Sequence, residues 1–311
     1  MTETSMMYRF TSLNMALIAL FAAIQTVSGI LPFTIAIGVS GFISIGVMVA
    51  PLSGIVIGPI FGGLSTLTGS IVGGLINPAS WVLGPFTIIP PTVAAICCGL
   101  VKFGKGYLCG IFIWPSILAF YLNPIGQLAF VYPWLHIIAG IVALTPISTL
   151  AYKAFKGNFK EEKRIFISVG AGIFGLSGGF VSYFIASELL GIMPWGLISG
   201  ILGGAIIGVL GGLIFRFMGP ITFGTVISVF IGTLADNILG GALGTYYFPA
   251  VFGGTTSFWA SIYNLVAFVY PVERAVVVLV VATIGAAVYL AAENLGVGTT
   301  LGKQVNSKTT D

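Results

Sequence analysis

The sequence predicts an all-α fold, a polytopic membrane helical bundle of about ten spans, with a range of roughly nine to eleven at about 20 residues per crossing. Three observations carry this. Of 311 residues, 57% are hydrophobic and 6% are charged, against about 25% charged in an ordinary soluble domain; mean hydropathy is +1.11. No charge occurs from Phe10 to Val101, which leaves room for about four helices and their turns. Lysine and arginine gather in the gaps between apolar runs. The net charge of +4 therefore reads as an orientation signal rather than a nucleic-acid patch.

The apolar runs, in order, predict helices over Leu13–Leu31, Phe42–Ile57, Phe61–Leu75, Thr87–Val101, Gly106–Tyr121 and Ala129–Tyr152. A second group covers Phe166–Leu189, Trp195–Phe215, Ile221–Leu239 and Val272–Leu295. The run after Arg9 is taken as a first span, because a cleaved signal peptide would lead into a polar chain. Pro51 and Gly58-Pro59 leave open a broken helix with a re-entrant piece in place of the second and third spans. With the N-terminus inside, Arg9, Lys102, Lys105, the loop Lys153–Arg164, Arg216, Lys303 and Lys308 are all cytoplasmic. Only Arg274 then falls on the outer side, as the positive-inside rule tolerates. The expected location is the cell membrane, with both termini cytoplasmic.

Four stretches follow from this: a six-span membrane half over 1–152, a basic cytoplasmic loop over 153–164, a second membrane half over 165–296 and a polar tail over 297–311. The loop reads as a solvated turn or as a docking point for a cytoplasmic partner. The halves read as a possible pseudo-repeat, since Gly58-Pro59-Ile60 is echoed by Gly219-Pro220-Ile221. Gly240 to Pro271, rich in aromatics, reads as an extracellular loop with a re-entrant or interfacial helix. Pro271 would open the closing helix, and Glu273 would face its positive end.

Glycine marks two seams. Gly196, Gly200, Gly204, Gly208 and Gly212 recur every four residues, which places them on one helix face. Such a face admits another backbone at close range, either for packing alone or as a sliding surface. It reads as the spine of the second half. The earlier seam carries Gly54, Gly58, Gly62, Gly69 and Gly73.

Polar residues in lipid are candidates for function by default. Asp236-Asn237 lies toward the outer end of the ninth predicted span, as a helix-end residue in the headgroup region, an internal hydrogen bond or a ligand contact. Glu273-Arg274 reads as a local pair or as a clamp for a carboxylate or phosphate. Asn77 and Trp81 fall on one outer loop, and Asn123 and Gln127 on the next. Tyr247, Trp259 and Asn264 belong to the aromatic stretch. Together Asn77, Trp81, Asn123, Asp236, Asn237, Tyr247, Trp259, Asn264, Glu273 and Arg274 form the expected binding set. His136 reads as a satisfied buried or interfacial histidine, with no carboxylate partner in sequence for a proton-coupling role, and Gln25 as a partner of another helix. Cys97, Cys98 and Cys109 read as small core residues, in no metal spacing. No Walker loop, paired-carboxylate signature or nucleophile elbow occurs, so no catalytic role and no cofactor are expected. The acids Glu188, Asp236, Glu273 and Glu293 all fall near predicted span ends, which weighs against a dedicated ion relay.

Particular residues resemble the membrane-embedded substrate-binding (S) component of energy-coupling-factor vitamin transporters. They are the alanine-rich first span with Ala16, Ala19, Ala22 and Ala23, then Gly58-Pro59-Ile60-Phe61-Gly62 and its small-residue helix. Gly232, Asp236 and Gly240 are similar to a Gly-xxx-Asp-xx-Gly helix end in that family, with one extra residue before the second glycine. The resemblance implies capture of a small, vitamin-like organic nutrient on the outer side. It implies docking of Ala19 and Ala23 on a coupling transmembrane subunit, with cytoplasmic ATPases supplying energy. Family members are shorter, and the metal-specific ones open with a Met-His pair where this chain has Met1-Thr2-Glu3. Two other readings stay open: a stand-alone secondary transporter with two unequal repeats, and a non-catalytic subunit of a membrane complex.

Overall fold

The computed structural model describes residues 12–30, 34–37, 41–44, 46–157, 163–184, 186–187 and 193–294. Arg9, Lys160, Glu188, Lys303 and Lys308 lie outside them. The protein is an all-α membrane bundle. Six of its described helices are long and apolar enough to cross a membrane, or seven if one bent pair counts as a single crossing. Three shorter apolar helices accompany them.

Helix α1 (Ser12–Ile30) is followed by an antiparallel hairpin of β1 (Thr34–Ile37) and β2 (Gly41–Ser44), with Thr34 opposite Ser44 and Ile37 opposite Gly41. The helix expected from Phe42 therefore starts only at Gly46, because residues 41–44 are paired in the hairpin. Helices α2 (Gly46–Ile57) and α3 (Pro59–Ile76) are separate. Gly58 joins them at φ +89, a conformation that glycine reaches without Cβ strain, and Pro59 starts α3 where its missing N–H is harmless.

Two 3-10 turns, Pro78–Ser80 and Gly84–Ile88, lead into α4 (Ile89–Lys102). Another, Gly106–Cys109, leads into α5 (Gly110–Leu122) and the short α6 (Pro124–Leu128). The single helix expected over Ala129–Tyr152 is two, α7 (Trp134–Leu144) and α8 (Pro146–Phe155), bent by 66°. Pro146 offers no N–H and pushes Thr145 out of the helical region; Thr145 is extended at ψ 167.

Helices α9 (Lys163–Phe184) and α10 (Met193–Phe217) form a hairpin. The last two helices are α11 (Pro220–Phe252) and α12 (Thr256–Asn294). They correct the reading of Gly240–Pro271 as an outer loop. This stretch is the far halves of two long helices, turned only at residues 253–255. Both glycines there have positive φ. Pro271 sits inside α12 instead of opening it. In lipid, helical hydrogen bonds hold where glycine and proline would break a helix in water.

Helix α11 is the centre of the bundle, with α2, α4, α5, α7, α8 and α12 packed around it. Its buried side is made of Phe223, Ile227, Ile231, Leu234 and Ile238. The closest approaches are at glycine. Gly69 of α3 faces the Ala22 carbonyl and Gln25 of α1; Gly62 faces Gly54; Gly99 faces Pro59; Gly232 faces Cys98 and the Ala94 carbonyl. The three cysteines are buried and free, as expected of small core residues. Gln25 is buried, but its Oε1 has no hydrogen-bond partner among the described residues.

The glycine ladder of α10 packs on α9. A Cβ on Gly204 would stand 2.9 Å from the Gly175 carbonyl oxygen and 3.1 Å from the Gly179 Cα. Its other face is open, with Leu197, Ile201, Ile206, Val209 and Phe217 exposed. The ladder is thus the inner seam of a helical hairpin, and the spine is α11. The hairpin touches the central bundle through Phe180 stacked on Trp134 and Phe215 against Phe223.

Gly204→Leu is expected to part α9 from α10, at a cost at the upper end of the roughly 1–3 kcal/mol of overpacking. Ile206→Ala on the open face is expected to be neutral. Thermal unfolding of the purified variants checks both, and an equal response would contradict the seam.

Candidate functional site

Lipid offers no partner to a buried polar group, so such groups must find each other. In this bundle they do so at one level. Gly232 packs on Cys98 and Ala94, and Gly240 on Pro90. Asp236, between them, is therefore level with the middle of α4. It also stands about 24 Å from either end of α11 at 1.5 Å per residue. Arg274 is similarly inside α12. The expectation that Asp236, Glu273 and Arg274 lie at span ends, with Arg274 outside, is corrected. The outer halves of α11 and α12 are helical, so these three residues sit in the helix interiors.

Arg274 is 8% exposed. Its Nη1 lies 3.2 Å from Asp236 Oδ2, and its Nη2 lies 3.4 Å from Glu273 Oε1. One guanidinium thus ties α11 to α12 and serves two carboxylates. Its Nε is buried with no acceptor among the described residues. The clamp expected for an outside carboxylate or phosphate is already engaged by the chain's own acids.

A second network adjoins this triad. The Tyr132 hydroxyl donates to Asn237 Oδ1 at 2.9 Å, and His136 Nε2 lies 2.9 Å from the same oxygen. An oxygen that accepts from both selects the Nε2–H tautomer of His136. The Tyr270 hydroxyl donates to the Tyr132 carbonyl at 3.0 Å and lies 3.4 Å from His136 Nδ1. His136 is fully buried, as its sequence context suggested. Rings close the space around it. Phe120 stacks on Tyr132 at 5.0 Å, Tyr263 meets Tyr132 edge-on at 5.0 Å, and Tyr270 stacks on His136 at 4.9 Å.

The remaining expected residues collect at one end of the bundle. Trp81 lies against Gly74, and the Tyr247 hydroxyl lies against Gly84. Asn123 Nδ2 donates to the Thr245 carbonyl at 3.3 Å, while its Oδ1 caps α6 by accepting from the Ile125 N–H at 2.9 Å. Asn264 Nδ2 donates to the Leu128 carbonyl at 3.3 Å. Trp259 Nε1 donates to the Gly253 carbonyl at 2.7 Å, and its ring stacks on Phe248. Asn77 ends α3 and accepts from Ser80 Oγ through its carbonyl. Trp81 Nε1 is buried and has no partner among the described residues.

The opposite end is basic. Lys102 Nζ donates to the Val56 carbonyl at 3.2 Å and sits over the Tyr289 ring at 4.9 Å. Gly104 abuts Tyr152, and Phe155 packs on Tyr289. Lys105, Lys153 and Lys156 lie on these same short segments.

The structure therefore gathers Asp236, Asn237, Glu273 and Arg274 into one centre and places Asn77, Trp81, Asn123, Tyr247, Trp259 and Asn264 in a separate layer at one end of the bundle. Sequence reasoning missed Tyr132, Tyr263 and Tyr270 as members of the centre. The available signal was spacing: Tyr270 and Arg274 are four apart and share a face of α12, and Tyr132 lies just ahead of the helix that carries His136.

No family model matches the chain, and no solved structure matches it. It is similar to "Uncharacterized protein MJ0923" of Methanocaldococcus jannaschii, 29% identical over 140 residues, which is 45% of this chain and 45% of that protein. The match thus spans less than half the length of either.

Arg274→Met is expected to cost about 3–5 kcal/mol, because it leaves two buried carboxylates unpaired. Asp236→Asn leaves Arg274 its Glu273 contact and is expected to cost less. Denaturant unfolding in a fixed detergent measures the difference, and the reverse order would contradict the shared guanidinium.

Proposed function

We propose that this membrane protein is a transport subunit that captures a small organic nutrient, vitamin-like in size, at the end of the bundle that lacks lysine and arginine among the described residues. The observation that carries the reading is the buried triad of Asp236, Glu273 and Arg274 with its His136–Asn237–Tyr132 network, at the junction of α7, α11 and α12. Charges are expensive at such depth and mark solute or ion paths. Trp81, Tyr247 and Trp259 supply aromatic surface at the entrance, and the triad forms the floor of the path. The basic end faces the cytoplasm by the positive-inside rule.

The resemblance to energy-coupling-factor S components supplies the mode of action. The chain holds the solute, while a coupling transmembrane subunit and cytoplasmic ATPases drive its release. One observation supports this. Ala19 and Ala23 lie on the exposed side of α1, whose other side packs on α3 through Ala22 and Gln25. A flat alanine pair facing lipid suits temporary helix docking. A second reading, a stand-alone secondary transporter, is favoured by the charged triad in the helix interiors, which an ion-driven cycle can use.

Reconstitution separates the two. Accumulation of solute in cells that express this chain with its ATPase partners is expected to fall at least tenfold with Ala19→Trp or Ala23→Trp, while the purified variant still retains bound solute by native mass spectrometry. Uptake by liposomes containing this chain alone would overturn the capture-subunit mode and favour the second reading.

A further inference from the structure

The triad does not balance. Asp236 and Glu273 bring two negative charges, and Arg274 brings one positive charge. No other lysine, arginine or acid among the described residues forms an ion pair with them. The groups that face the triad are Tyr132 from the turn before α7, His136 from α7, Asn237 from α11, Tyr270 from α12, and Cys98 from α4; Tyr263 of α12 stands behind Tyr132. None of these is a fixed cation.

We propose that this centre is a binding site for one exchangeable positive charge, a proton or a bare alkali cation, held on carboxylate oxygen of Asp236 or Glu273. Two further observations support the site. The contacts to the guanidinium are through Asp236 Oδ2 at 3.2 Å and Glu273 Oε1 at 3.4 Å, and among the described residues no hydrogen bond is made to Asp236 Oδ1 or Glu273 Oε2. Arg274, more than nine-tenths buried, has an unpartnered Nε, so the guanidinium does not saturate the pair as a bidentate fork does. The rings of Phe120, Tyr132, Tyr263 and Tyr270 pack against one another beside the network that adjoins the triad.

His136 is the other group that can take a proton. Both of its nitrogens face neutral partners, Asn237 and Tyr270, and no carboxylate lies within ion-pair distance of it among the described residues. The carboxylates are the better seat. The step is a simple association: carboxylate plus proton gives carboxylic acid, or carboxylate plus cation gives an ion pair, with no bond broken. The site itself stands on the geometry, and only its use as a charge that moves with transport rests on the proposed function.

Infrared spectroscopy of the full chain in lipid nanodiscs tests this without any organic solute. Spectra are recorded across mildly acidic to mildly basic pH in sodium, in potassium and in N-methylglucamine buffers. The expected result is a protonated-carboxyl carbonyl band at neutral pH that is lost in Asp236→Asn or in Glu273→Gln. If that band is lost on raising pH alone, the charge is a proton; if sodium or potassium removes it at constant pH, the charge is an alkali cation. The proposal is overturned if wild-type protein shows no such band and no cation-dependent carboxylate shift. It is also overturned if the only titrating signal is an imidazolium band that vanishes in His136→Gln. The wild-type spectra decide between these outcomes even if a variant fails to fold. Failure of the transport reading would leave them unchanged.

Discussion

Close backbone approach holds this bundle together. In lipid, helix association gains little from hiding apolar side chains, because the solvent is as apolar as they are. Attraction must come from contact, and contact is densest where Cβ atoms are missing. Gly54, Gly62, Gly69, Gly99 and Gly232 each stand against the backbone of a neighbouring helix. They form a chain of contacts that runs from α1 through α3 and α2 to α4 and then α11. Everything polar in the protein is positioned by that chain, because Gly232 and Gly240 set the height of Asp236 against α4.

The charged centre follows from this placement. A residue such as Arg274 survives inside α12 only because Asp236 on α11 is brought beside it. The pair needs two helices at fixed rotation and depth, which the glycine contacts and the interdigitated Phe223, Ile227 and Leu234 supply. Helices α7 and α11 bring His136 and Asn237 together from positions about a hundred residues apart. A polar network that is satisfied at nearly every atom favours one packing over its neighbours in register. Among the described residues the orphan Nε of Arg274, Nε1 of Trp81 and Oε1 of Gln25 are the exceptions.

Hydropathy made the membrane class and most helices legible, because an uncharged apolar run of about 20 residues matches the thickness of a bilayer. Local chemistry located the break at Gly58 as a possibility. It did not locate the break at Pro146, where a long apolar run hid a single proline. The stretch Gly240–Pro271 was misread for a physical reason. Its glycines, two prolines and aromatics are loop signals in water, and they lose that meaning where helix hydrogen bonds have no competitor. That misreading carried the charges with it: once the loop is helix, Asp236 and Arg274 move from span ends to helix interiors. Asp236, Asn237, Glu273 and Arg274 were legible as candidates because polar residues are rare here. Their meeting with Tyr132 and His136 was not, since it depends on tertiary contact alone.

Helices α11 and α12 are 33 and 39 residues long, about 50 and 58 Å at 1.5 Å per residue. A bilayer's hydrocarbon core is about 30 Å thick. Two almost uncharged rods of that length cannot stand upright in it without thickening the lipid around them or leaning over. The bundle is therefore matched to a particular membrane thickness. Lipids with longer or shorter chains would change the lean of these two helices, and with it the depth of the charged triad in the bilayer.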